Sequence, residues 1–584
     1  MRKTKILATL GPATNDVEII KNLIRNGMNA ARINFSHGTY ETHTETINKL
    51  KEARESLQQP IPLVLDTKGP EIRIKKFAED KIYLGQGDHF TLTTQDILGD
   101  KTRVSVTYKE LPNDLKIGSR VLIDDGLIEL KVLDITETDV NCVVINSGFL
   151  SSRKGVNIPD VYVNLPSLTE NDIKDICFGI EMGFDFIAAS FIRSANDILK
   201  IRQILEENNG AGIQVIAKIE SRDGVNNLDS ILEVADGIMV ARGDLGVEIP
   251  PEEVPLVQKM LIHKANKLGK PVITATQMLE SMVQNPRPTR AEANDVANAI
   301  FDGSDAIMLS GETANGAYPV ESVAMMARIA TKTEESIDYF HEITSHHDFY
   351  KSNITNAISF ATCTTAADLN AACIVIVTDS GFSARMVSKF RPTCSIIGIT
   401  PEQRVYRQLN LTWGCMPVLA ENITGNDEVF DIGEKMAFET GLVKNGDYIV
   451  AAAGVPIGIA GTTNTMKVRI VGDVLVKGAP WGDKQVKGNS RVIKVIEEGE
   501  HFFMQGDILV TTSTTDEMMP YIRKAGAIVV GSWENIDNNH SITVAKALDI
   551  PLVVAKQKVT DLIPDGIAIT VDSKNGFVYN GFRD

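Results

Sequence analysis

The run VIAKIE at residues 215–220 and the run VARGDLGV at residues 240–247 decide how the rest of the sequence is interpreted. Both begin with apolar residues typical of a buried strand, and both lead into charged residues. Alternate side chains of a strand point to opposite faces, so Lys218 and Glu220 face the same way. Asp244 follows the second strand, where a Gly-Asp pair favours the start of a helix that attracts anions. Alone, this pattern also fits an ordinary ion pair at a strand end, so the residues around it must decide.

Composition predicts a water-soluble globular protein. Of the 584 residues, 43% are hydrophobic and 23% are charged, and this length allows roughly three or four domains. A formal net charge of −17 argues against nucleic-acid binding. No apolar run is long enough to cross a membrane, and the N-terminal MRKTKILATLGPA predicts a strand rather than a secretory signal. Six scattered cysteines without a C-x-x-C pair indicate reduced thiols, so we expect a cytoplasmic protein. From the net charge and the short apolar runs, we expect no nucleic-acid or membrane partner.

Apolar segments alternate with segments of helical period through the first half of the chain. The predicted strands are residues 5–10, 30–36, 62–67, 184–190, 215–220, 237–242, 271–277 and 306–311. The predicted helices include residues 16–26, 42–57, 194–207, 225–235, 254–268, 290–301 and 321–337, and a capping-box pattern from Thr169 to Asp172 predicts another helix start. These units predict an α/β fold with a closed (β/α)8 TIM barrel. Lys218 and Glu220 then fall at a carboxyl strand end, where such barrels hold their working residues.

The sequence pattern changes after the third strand, where predicted short strands and turns replace the expected helix. We predict a small inserted β-barrel domain over residues 70–168, a position from which it can act as a lid over the active face. The catalytic barrel then comprises residues 1–69 and 169–345. A C-terminal α/β domain is predicted over residues 346–472, followed at 473–584 by a linker and an extra α/β domain. The linker is assigned to residues 477–490, because glycines and a proline interrupt a polar run there.

The sequence TDSGFS at residues 378–383 lies between a predicted strand and a predicted helix. Its hydroxyls and glycine are typical of a phosphate-binding turn. An ordinary capped turn has the same composition, so the residues alone leave both interpretations open. The sequence GTTN at residues 461–464 is a candidate for the opposite wall of such a site.

The predicted strand ends carry oxygen ligands and cations but no histidine or cysteine ligand set. Mg²⁺ sites use oxygen ligands with one or two carboxylates, and we assign Glu220 and Asp244 to this ion. A second cluster carries only one formal charge, which favours a monovalent ion, and it consists of Asn34, Ser36, Asp66 and Thr67. Three cations are expected to face phosphoryl and carboxylate oxygens, namely Arg32, Arg73 and Lys218. The seventh strand adds the hydroxyls of Thr274 and Thr276.

Five runs of the sequence resemble pyruvate kinase, in order and with the spacing of that family. They are INFSHG (33–38), LDTKGPEIR (65–73), AKIE (217–220), MVARGDLG (239–246) and TATQMLESM (274–282). The resemblance covers residues 1 to about 472. The tail resembles the extra C-terminal domain of some bacterial members, which is akin to the swivelling phosphohistidine domain of phosphoenolpyruvate-using enzymes.

The resemblance implies transfer of the phosphoryl group of phosphoenolpyruvate to ADP, which gives pyruvate and ATP in the last step of glycolysis. It implies that Lys218 stabilises the phosphoryl group and the developing enolate. It also implies that Glu220 and Asp244 hold Mg²⁺ or Mn²⁺, that Arg32 lies at the transferring phosphate, and that Thr276 lies near the enolate carbon. The implied substrate-binding residues are Arg32, Lys218, Gly243, Asp244 and Thr276.

The same resemblance implies further ligands. It assigns K⁺ to Asn34, Ser36, Asp66 and Thr67. The glutamate at position 71 is similar to that of K⁺-dependent members, whereas a lysine there would replace the charge of the ion. The implied nucleotide-binding residues are Asn34, His37, Arg73 and Lys154. A homotetramer and allosteric control by a phosphorylated metabolite, a sugar phosphate or a nucleotide, are implied as well. The effector is expected near Thr378, Ser380 and Ser383.

His540 falls where the resembling tails carry their phosphorylated histidine, ahead of LDIP at residues 548–551. Glycines at that place let the backbone approach a phosphate closely. Here the residues of the pattern are replaced before the histidine by Asn535, Ile536 and Asn538, and after it by Ser541 and Ile542. We therefore expect a structural or vestigial role for His540 rather than phosphate transfer.

Two other functions compete with the kinase hypothesis. One is a metal-dependent lyase or aldolase that handles a pyruvate enolate on a related barrel, and the other is a silent binding or carrier protein. The inserted domain and the residues Arg32, Asn34 and Arg73 argue against the lyase. The complete set of Lys218, Glu220, Asp244 and Thr276 argues against the carrier. A Schiff base at Lys218 is disfavoured, since the neighbouring Glu220 favours the charged amine.

Overall fold

The structure is a computed structural model, and it describes residues 1–161, 163–345, 353–420, 428–454, 463–494, 502–531 and 539–583. By internal contacts the chain forms two compact units. The first consists of Met1–Thr364, Ile376–Ile423 and Ala453–Thr465, and the second of Thr365–Val375, Thr424–Ala452 and Met466–Asp584. Within the described residues, no helix is long and apolar enough to cross a membrane.

A closed barrel of eight parallel strands forms the core of the first unit and confirms the predicted fold class. In chain order, which is also the order around the barrel, its strands are Lys5–Leu10, Ala30–Asn34, Leu63–Asp66, Phe186–Ala189, Gln214–Ile219, Gly237–Ala241, Val272–Ala275 and Ala306–Leu309. These eight strands are almost entirely buried, because one face packs inside the barrel and the other against the outer helices. Several polar residues predicted at the carboxyl ends, among them Thr67, Glu220 and Thr276, lie just beyond the last residue of their strand.

Helices surround the barrel. Their bounds are Val17–Arg25, Tyr40–Ser56, Glu170–Met182, Ala195–Glu207, Arg222–Asn226, Leu228–Val234, Arg242–Glu248, Val254–Leu268, Arg290–Phe301, Gly311–Ala314, Pro319–Glu334 and Tyr339–Ser345, with 3-10 turns at Pro12–Thr14 and Glu280–Val283. The capping box predicted at Thr169 and Asp172 is present. The single helix predicted over 225–235 is wrong. Two short helices meet at Asn227, whose side chain donates a hydrogen bond to the carbonyl of Arg193.

The inserted segment forms a small, closed β structure. Its strands are Ile72–Arg73, Lys81–Leu84, His89–Thr93, Arg103–Ser105, Arg120–Ile123, Ile128–Ile135, Asp139–Val144, Gly148–Ser151 and Gly155–Asn157, with a short helix at Leu111–Asp114. Seven of them form one sheet with Ile72–Arg73 and Arg103–Ser105 at its edges. A β-bridge between Ile74 and Val106 joins these two edges and closes the sheet.

A five-stranded sheet follows the barrel in the chain. In spatial order its strands are Cys415–Leu419, Ser395–Thr400, Cys373–Val377, Tyr448–Ala453 and Thr465–Ile470. The helices of this region are Ile354–Asp368, Phe382–Ser388, Gln403–Leu409 and Glu428–Glu439. The side chain of Lys5, in the first barrel strand, is buried and donates to the carbonyl of Cys415 over 2.6 Å.

The last region is built on an eight-stranded sheet. In spatial order its strands are Val474–Lys477, Phe577–Asn580, Ala568–Asp572, Gln485–Val492, Ile508–Thr511, Ala527–Gly531, Leu552–Ala555 and Ala479–Trp481. Its helices are Met519–Ile522, Asn539–Leu548 and Val559–Leu562, with a 3-10 turn at Asp516–Met518. In the second unit, the ring of Phe577 packs directly on Gly446, and Gln557 donates to the hydroxyl of Tyr448 over 3.4 Å.

The predicted linker at 477–490 is wrong, because most of this run belongs to strands of that sheet. The glycines that suggested a linker permit close backbone packing instead. A Cβ atom at Gly488 would lie 2.5 Å from the carbonyl oxygen of Gly506, and one at Gly478 would lie 2.5 Å from that of Val554. The other domain boundaries stay a prediction.

Candidate active site

Lys218 lies at the carboxyl end of the fifth barrel strand, and three side chains of the protein contact its ammonium group. Nζ donates to Oγ of Ser190 over 2.6 Å and to Oδ1 of Asp66 over 3.0 Å. Oε1 of Glu220 is also 3.0 Å away. Burial opposes the charge, but the two carboxylates outweigh it and hold the pKa of Lys218 above its usual value. The amine is therefore a fixed positive charge rather than a nucleophile.

Arg32 lies on the neighbouring side of the same carboxylate. Its Nε is 2.6 Å from Oδ2 of Asp66, and its Nη1 donates to Oγ1 of Thr9 over 3.0 Å. Asp66 is buried, which disfavours its charge, yet Arg32 and Lys218 together lower its pKa. One carboxylate thus holds two cations at the mouth of the barrel, where their charge can act on an anionic substrate.

Glu220 and Asp244 form the second acidic element of the site. Oε2 of Glu220 accepts a 2.6 Å hydrogen bond from the backbone N–H of Phe191, a residue held at a positive φ of 54°. Burial raises the pKa of Glu220 to about 7; Lys218 opposes this shift and Asp244 adds to it. Burial also raises the pKa of Asp244. Burial and the neighbouring like charge make it unfavourable for both carboxylates to be ionised, and a bound cation would offset this unfavourable free energy.

The two acidic residues fit a hard divalent ion that shares its coordination with substrate. Oε1 of Glu220 is buried and accepts no well-aligned hydrogen bond, and its charged neighbour is the ammonium of Lys218, 3.0 Å away. Within the part of the chain that the structure describes, no cluster of three or more histidines, cysteines and carboxylates could enclose a metal. Mg²⁺ is commonly bound by one or two carboxylates and completes its shell with water and phosphate oxygens. The observed donor set therefore suits Mg²⁺ better than a metal that needs a full protein cage.

Thr276 is hydrogen-bonded to the short helix Arg242–Glu248, which follows the sixth barrel strand. Its Oγ1 accepts from the N–H of Gly243 over 2.8 Å and donates to the carbonyl of Ala275 over 2.6 Å. Its φ is +68°, a strained value for a β-branched residue. Arg242 supports this geometry, since it donates to the carbonyl of Thr276 over 2.7 Å and pairs with Asp295 over 2.7 Å. By contrast, Thr274 is buried against Ser304, which indicates a packing role.

The predicted monovalent-cation residues lie on the second and third strands. Asn34 and Asp66 are paired in register, and Oδ1 of Asn34 accepts from the N–H of Ser36 over 3.1 Å. Ser190 links this cluster to the lysine. Its hydroxyl donates to the carbonyl of Thr67 over 2.6 Å, and its N–H donates to Oγ1 of Thr67 over 3.1 Å. The cluster is therefore continuous with the contacts of Lys218.

Of the four predicted nucleotide residues, two line one cavity. This cavity, of about 530 Å³, lies between the inserted segment and the barrel, and its wall includes Arg73, Lys154 and Asp244. Nε of Arg73 pairs with Glu71 over 2.7 Å, and Lys154 pairs with Asp124 over 2.9 Å. Asn34 and His37 are not part of this wall, and His37 is exposed on the loop after the second strand.

The predicted effector residues meet in one turn. The N–H of Gly381 donates to Oγ1 of Thr378 over 3.1 Å, and Gly381 has a φ of +74°. Oγ1 of Thr463 donates to Oγ of Ser383 over 2.7 Å, which joins the turn to the predicted opposite wall. Ser380 is half-buried. Gly461 and Thr462 lie outside the described residues.

His540 is held through both ring nitrogens. Nδ1 lies 2.8 Å from Oγ1 of Thr514, and Nε2 lies 3.2 Å from Oδ1 of Asp516. The same threonine hydroxyl lies 2.8 Å from Oγ of Ser541. The replaced positions Asn535, Ile536 and Asn538 lie outside the described residues. The structural role expected for His540 stays a prediction.

A family model described as pyruvate kinase, barrel domain, matches residues 1–323. The chain belongs to the pyruvate kinase family. A second pyruvate kinase model, for the alpha/beta domain, matches residues 356–469. A third, described as PEP-utilising enzyme, mobile domain, matches residues 503–576 and confirms the predicted type of the tail.

Relatives in the pyruvate kinase family match over the full length. A pyruvate kinase of Geobacillus stearothermophilus is 48% identical over 582 residues, which cover 99% of each chain. One from Staphylococcus aureus (strain MRSA252) is 45% identical over 586 residues and 100% of both chains. The crystal structure of a pyruvate kinase from Cryptosporidium parvum superposes with a TM-score of 0.77 at 41% identity, covering 81% of this chain and 96% of that one. The protein is accordingly a phosphotransferase.

Several polar residues of the site were not singled out from the sequence. Thr9, Ser190 and the backbone of Phe191 each contact a predicted residue directly. Ser190 ends the predicted fourth strand, in the same layer as the other site residues, and this position was a usable signal. Arg242 belongs to the run MVARGDLG at residues 239–246, but its contact with Thr276 joins the ends of two different strands. Such contacts depend on the closed barrel and are not visible in local patterns.

Proposed function

We propose that the chain transfers the phosphoryl group of phosphoenolpyruvate to ADP at the mouth of the barrel, with Lys218 as the charge that stabilises the transition state. The bond from phosphorus to the enol oxygen breaks, and a bond from phosphorus to an oxygen of the β-phosphate of ADP forms. Pyruvate enolate then takes up a proton at carbon. The buried ammonium of Lys218, positioned by Asp66 and Ser190, is the observation that carries this proposal. A fixed charge in a water-poor site stabilises developing negative charge strongly.

Glu220 and Asp244 are proposed to hold Mg²⁺ or Mn²⁺. When bound, the ion supplies Lewis-acid stabilisation to substrate oxygens. The protein holds the two ligands in place, Glu220 through the N–H of Phe191 and Asp244 within the short helix Arg242–Glu248. The raised pKa values of both carboxyls, caused by burial, support the assignment.

Arg32 and the monovalent cluster are proposed to bind the transferring phosphate from the other side. The cluster of Asn34, Ser36, Asp66 and Thr67 supplies neutral oxygens and one carboxylate, which suits K⁺. Asp66 is already paired with Arg32 and Lys218, so an added cation increases the positive charge around the phosphoryl group. The guanidinium of Arg32 offers directed donors to phosphate oxygens.

Thr276 and Gly243 are proposed to form the wall on which the enolate lies. The hydroxyl of Thr276 accepts from the N–H of Gly243 and donates to the carbonyl of Ala275, and these bonds fix its position at this wall. Arg242 fixes the strained backbone of this residue. The hydroxyl, directly or through water, is proposed to protonate the enolate carbon, and the proton it gives up is replaced from water.

ADP is proposed to occupy the cavity between the inserted segment and the barrel. Its volume of about 530 Å³ lies in the usual range for small-ligand sites. Arg73 and Lys154 are held there by carboxylates, which phosphate oxygens of a nucleotide would replace. Closure of the inserted domain as a lid, at residues 70–168, then excludes water from the phosphoryl group.

Regulation and assembly are proposed from the family pattern together with local geometry. The turn with Thr378, Ser380 and Ser383 is the proposed site of a phosphorylated effector, supported by the hydroxyls that meet there. A homotetramer in the cytoplasm is the expected form. The six cysteines, all within the described residues, form no disulfide, which supports a reducing compartment.

A coupled assay with phosphoenolpyruvate and ADP tests the proposal. We expect pyruvate and ATP in equal amounts, with dependence on Mg²⁺ and K⁺. An aldol product formed from pyruvate and an aldehyde, without ADP, would instead establish a lyase or aldolase. Binding of phosphoenolpyruvate without turnover, under all cation conditions, would establish a silent carrier.

A further inference from the structure

Thr9 is a buried hydroxyl at the end of the first barrel strand, beside the proposed phosphate site. It is only 3% exposed. Its Oγ1 accepts from Nη1 of Arg32 over 3.0 Å and donates to the carbonyl of Leu309, in the eighth strand, over 2.9 Å. Because the hydroxyl hydrogen points to the carbonyl of Leu309, the hydroxyl cannot rotate freely. One of its oxygen lone pairs therefore faces Arg32.

Arg32 is held by the protein at two of its three nitrogens. Nε pairs with Asp66, and Nη1 donates to Thr9. Among the described residues, none accepts a hydrogen bond from Nη2. A guanidinium is planar with donors in a fixed geometry, so two anchors define the directions of the donors that remain. These donors are then left for an anion.

Asp66 alone does not define that orientation. Its Oδ1 is engaged by Lys218, and only Oδ2 contacts Arg32, so the ion pair is a single contact rather than a bidentate fork. A single contact leaves the guanidinium free to rotate about the line between Nε and Oδ2. Thr9 supplies the second point that stops this rotation.

We propose that Thr9 is a positioning residue for phosphoryl transfer, which keeps the guanidinium of Arg32 in the plane that receives the transferring phosphate. This inference rests on the proposed role of Arg32. Thr9 acts through Arg32 and need not touch the substrate. Its loss leaves the charge of Arg32 in place but removes the preorganised direction of its donors.

Two substitutions in the full-length protein separate the hydroxyl from the shape of the side chain. Thr9→Val retains the branched shape and removes the hydroxyl, whereas Thr9→Ser retains the hydroxyl. We expect Thr9→Val to lower kcat/KM for phosphoenolpyruvate about tenfold or more, since a buried charged donor is left unpaired. The loss should lie mainly in kcat, because the orientation matters most as charge develops. Thr9→Ser should stay within about threefold of the wild type.

Thr313→Val is the matched control. Oγ1 of Thr313 donates to the backbone carbonyl of Thr9 over 2.8 Å and is fully buried, but it makes no contact with Arg32. We expect this variant to lose thermal stability comparable to Thr9→Val while keeping the wild-type kcat. Equal kinetic losses in Thr9→Val and Thr313→Val would assign the effect to barrel packing and overturn the inference.

A double-mutant cycle with Arg32→Lys distinguishes failure of this inference from failure of the proposed function. If Thr9 acts through Arg32, adding Thr9→Val to Arg32→Lys should cost little more than Arg32→Lys alone. Full additivity, or wild-type kinetics in Thr9→Val beside a strongly impaired Arg32→Lys, would overturn the role of Thr9 only. Wild-type kinetics in Arg32→Lys would overturn the role of Arg32 itself. Thr9→Ala replaces Thr9→Val in the cycle if the valine variant does not fold.

Discussion

Nζ of Lys218 lies 3.0 Å from Oδ1 of Asp66, which joins the fifth and third strands across the mouth of the barrel. The pair is almost entirely buried, and it holds the ammonium charged and oriented before any substrate arrives. Preorganised charge of this kind is the largest catalytic contribution that a single side chain makes in many enzymes.

Lys218→Met should therefore lower kcat for phosphoryl transfer by at least about 10²-fold, measured in the coupled assay. Lys264→Met is the control, because Lys264 pairs only with the exposed Asp229 on the outer helices. A near-normal kcat in Lys218→Met would contradict the assignment.

Asp66→Asn should strongly destabilise the fold, since it leaves the buried Arg32 without its carboxylate and Lys218 with Glu220 alone. The expected loss in the free energy of unfolding is about 3–5 kcal/mol, as for other buried pairs broken on one side. The exposed pair provides a comparison, and Asp229→Asn should cost no more than about 1 kcal/mol. Denaturant titration of both variants measures the difference. Equal, small losses would mean that water reaches the Asp66 site.

Replacing K⁺ by tetramethylammonium should reduce the wild-type activity by at least about tenfold, because one charge near the phosphoryl group is lost. Glu71→Lys should keep most of its activity in the same buffer. Glu71→Gln removes the carboxylate without supplying a cation, and it should remain K⁺-dependent. The shift in Tm on adding K⁺, measured without substrates, gives a second readout, which we expect to be absent in Glu71→Lys. Full wild-type activity without K⁺ would contradict this prediction.

Ser380→Glu should abolish activation by a phosphorylated effector while leaving basal turnover near wild type. A carboxylate in the turn repels the phosphate that the hydroxyls are proposed to bind. Saturation curves for phosphoenolpyruvate, recorded with sugar phosphates and with nucleotides, provide the test. Ser230→Glu introduces the same charge on an exposed helix of the barrel and should respond as wild type. Unchanged activation in Ser380→Glu would place the effector elsewhere.

Stability should also depend on pH through Lys5. Burial lowers the pKa of Lys5 to about 8 in the folded protein, against 10.5 when unfolded. Between these values the unfolded state binds more protons, so raising the pH through this window stabilises the fold, by on the order of 1–3 kcal/mol in total. The Tm of wild type relative to Lys5→Met should therefore rise from pH 8 to pH 10. The corresponding difference in Tm for Lys264→Met should show no such trend. A difference between wild type and Lys5→Met that does not change with pH would contradict the lowered pKa of Lys5.

The barrel was predictable because each strand is a short apolar run, and burial on both faces requires such runs. Glu220 and Asp244 were found because they follow those strands directly. The hydrogen-bond partners of the site were not predictable. Ser190 reaches Thr67 and Lys218 only because the third, fourth and fifth strands are neighbours in the closed barrel. Gly488 was misread for a related reason, since a glycine that fits a close strand crossing has the same local signature as one in a linker.

The packing of Phe577 on Gly446 bears on how this protein can be shortened. A boundary at residues 472–473 separates the tail in sequence, but the second compact unit includes residues on both sides of it. Cutting there would uncover the backbone at Gly446 and remove Gln557 from the hydroxyl of Tyr448. A truncated enzyme would thus differ from the full-length one at the strand Tyr448–Ala453, and a change in the proposed regulation would not by itself reveal a signal sent by the tail.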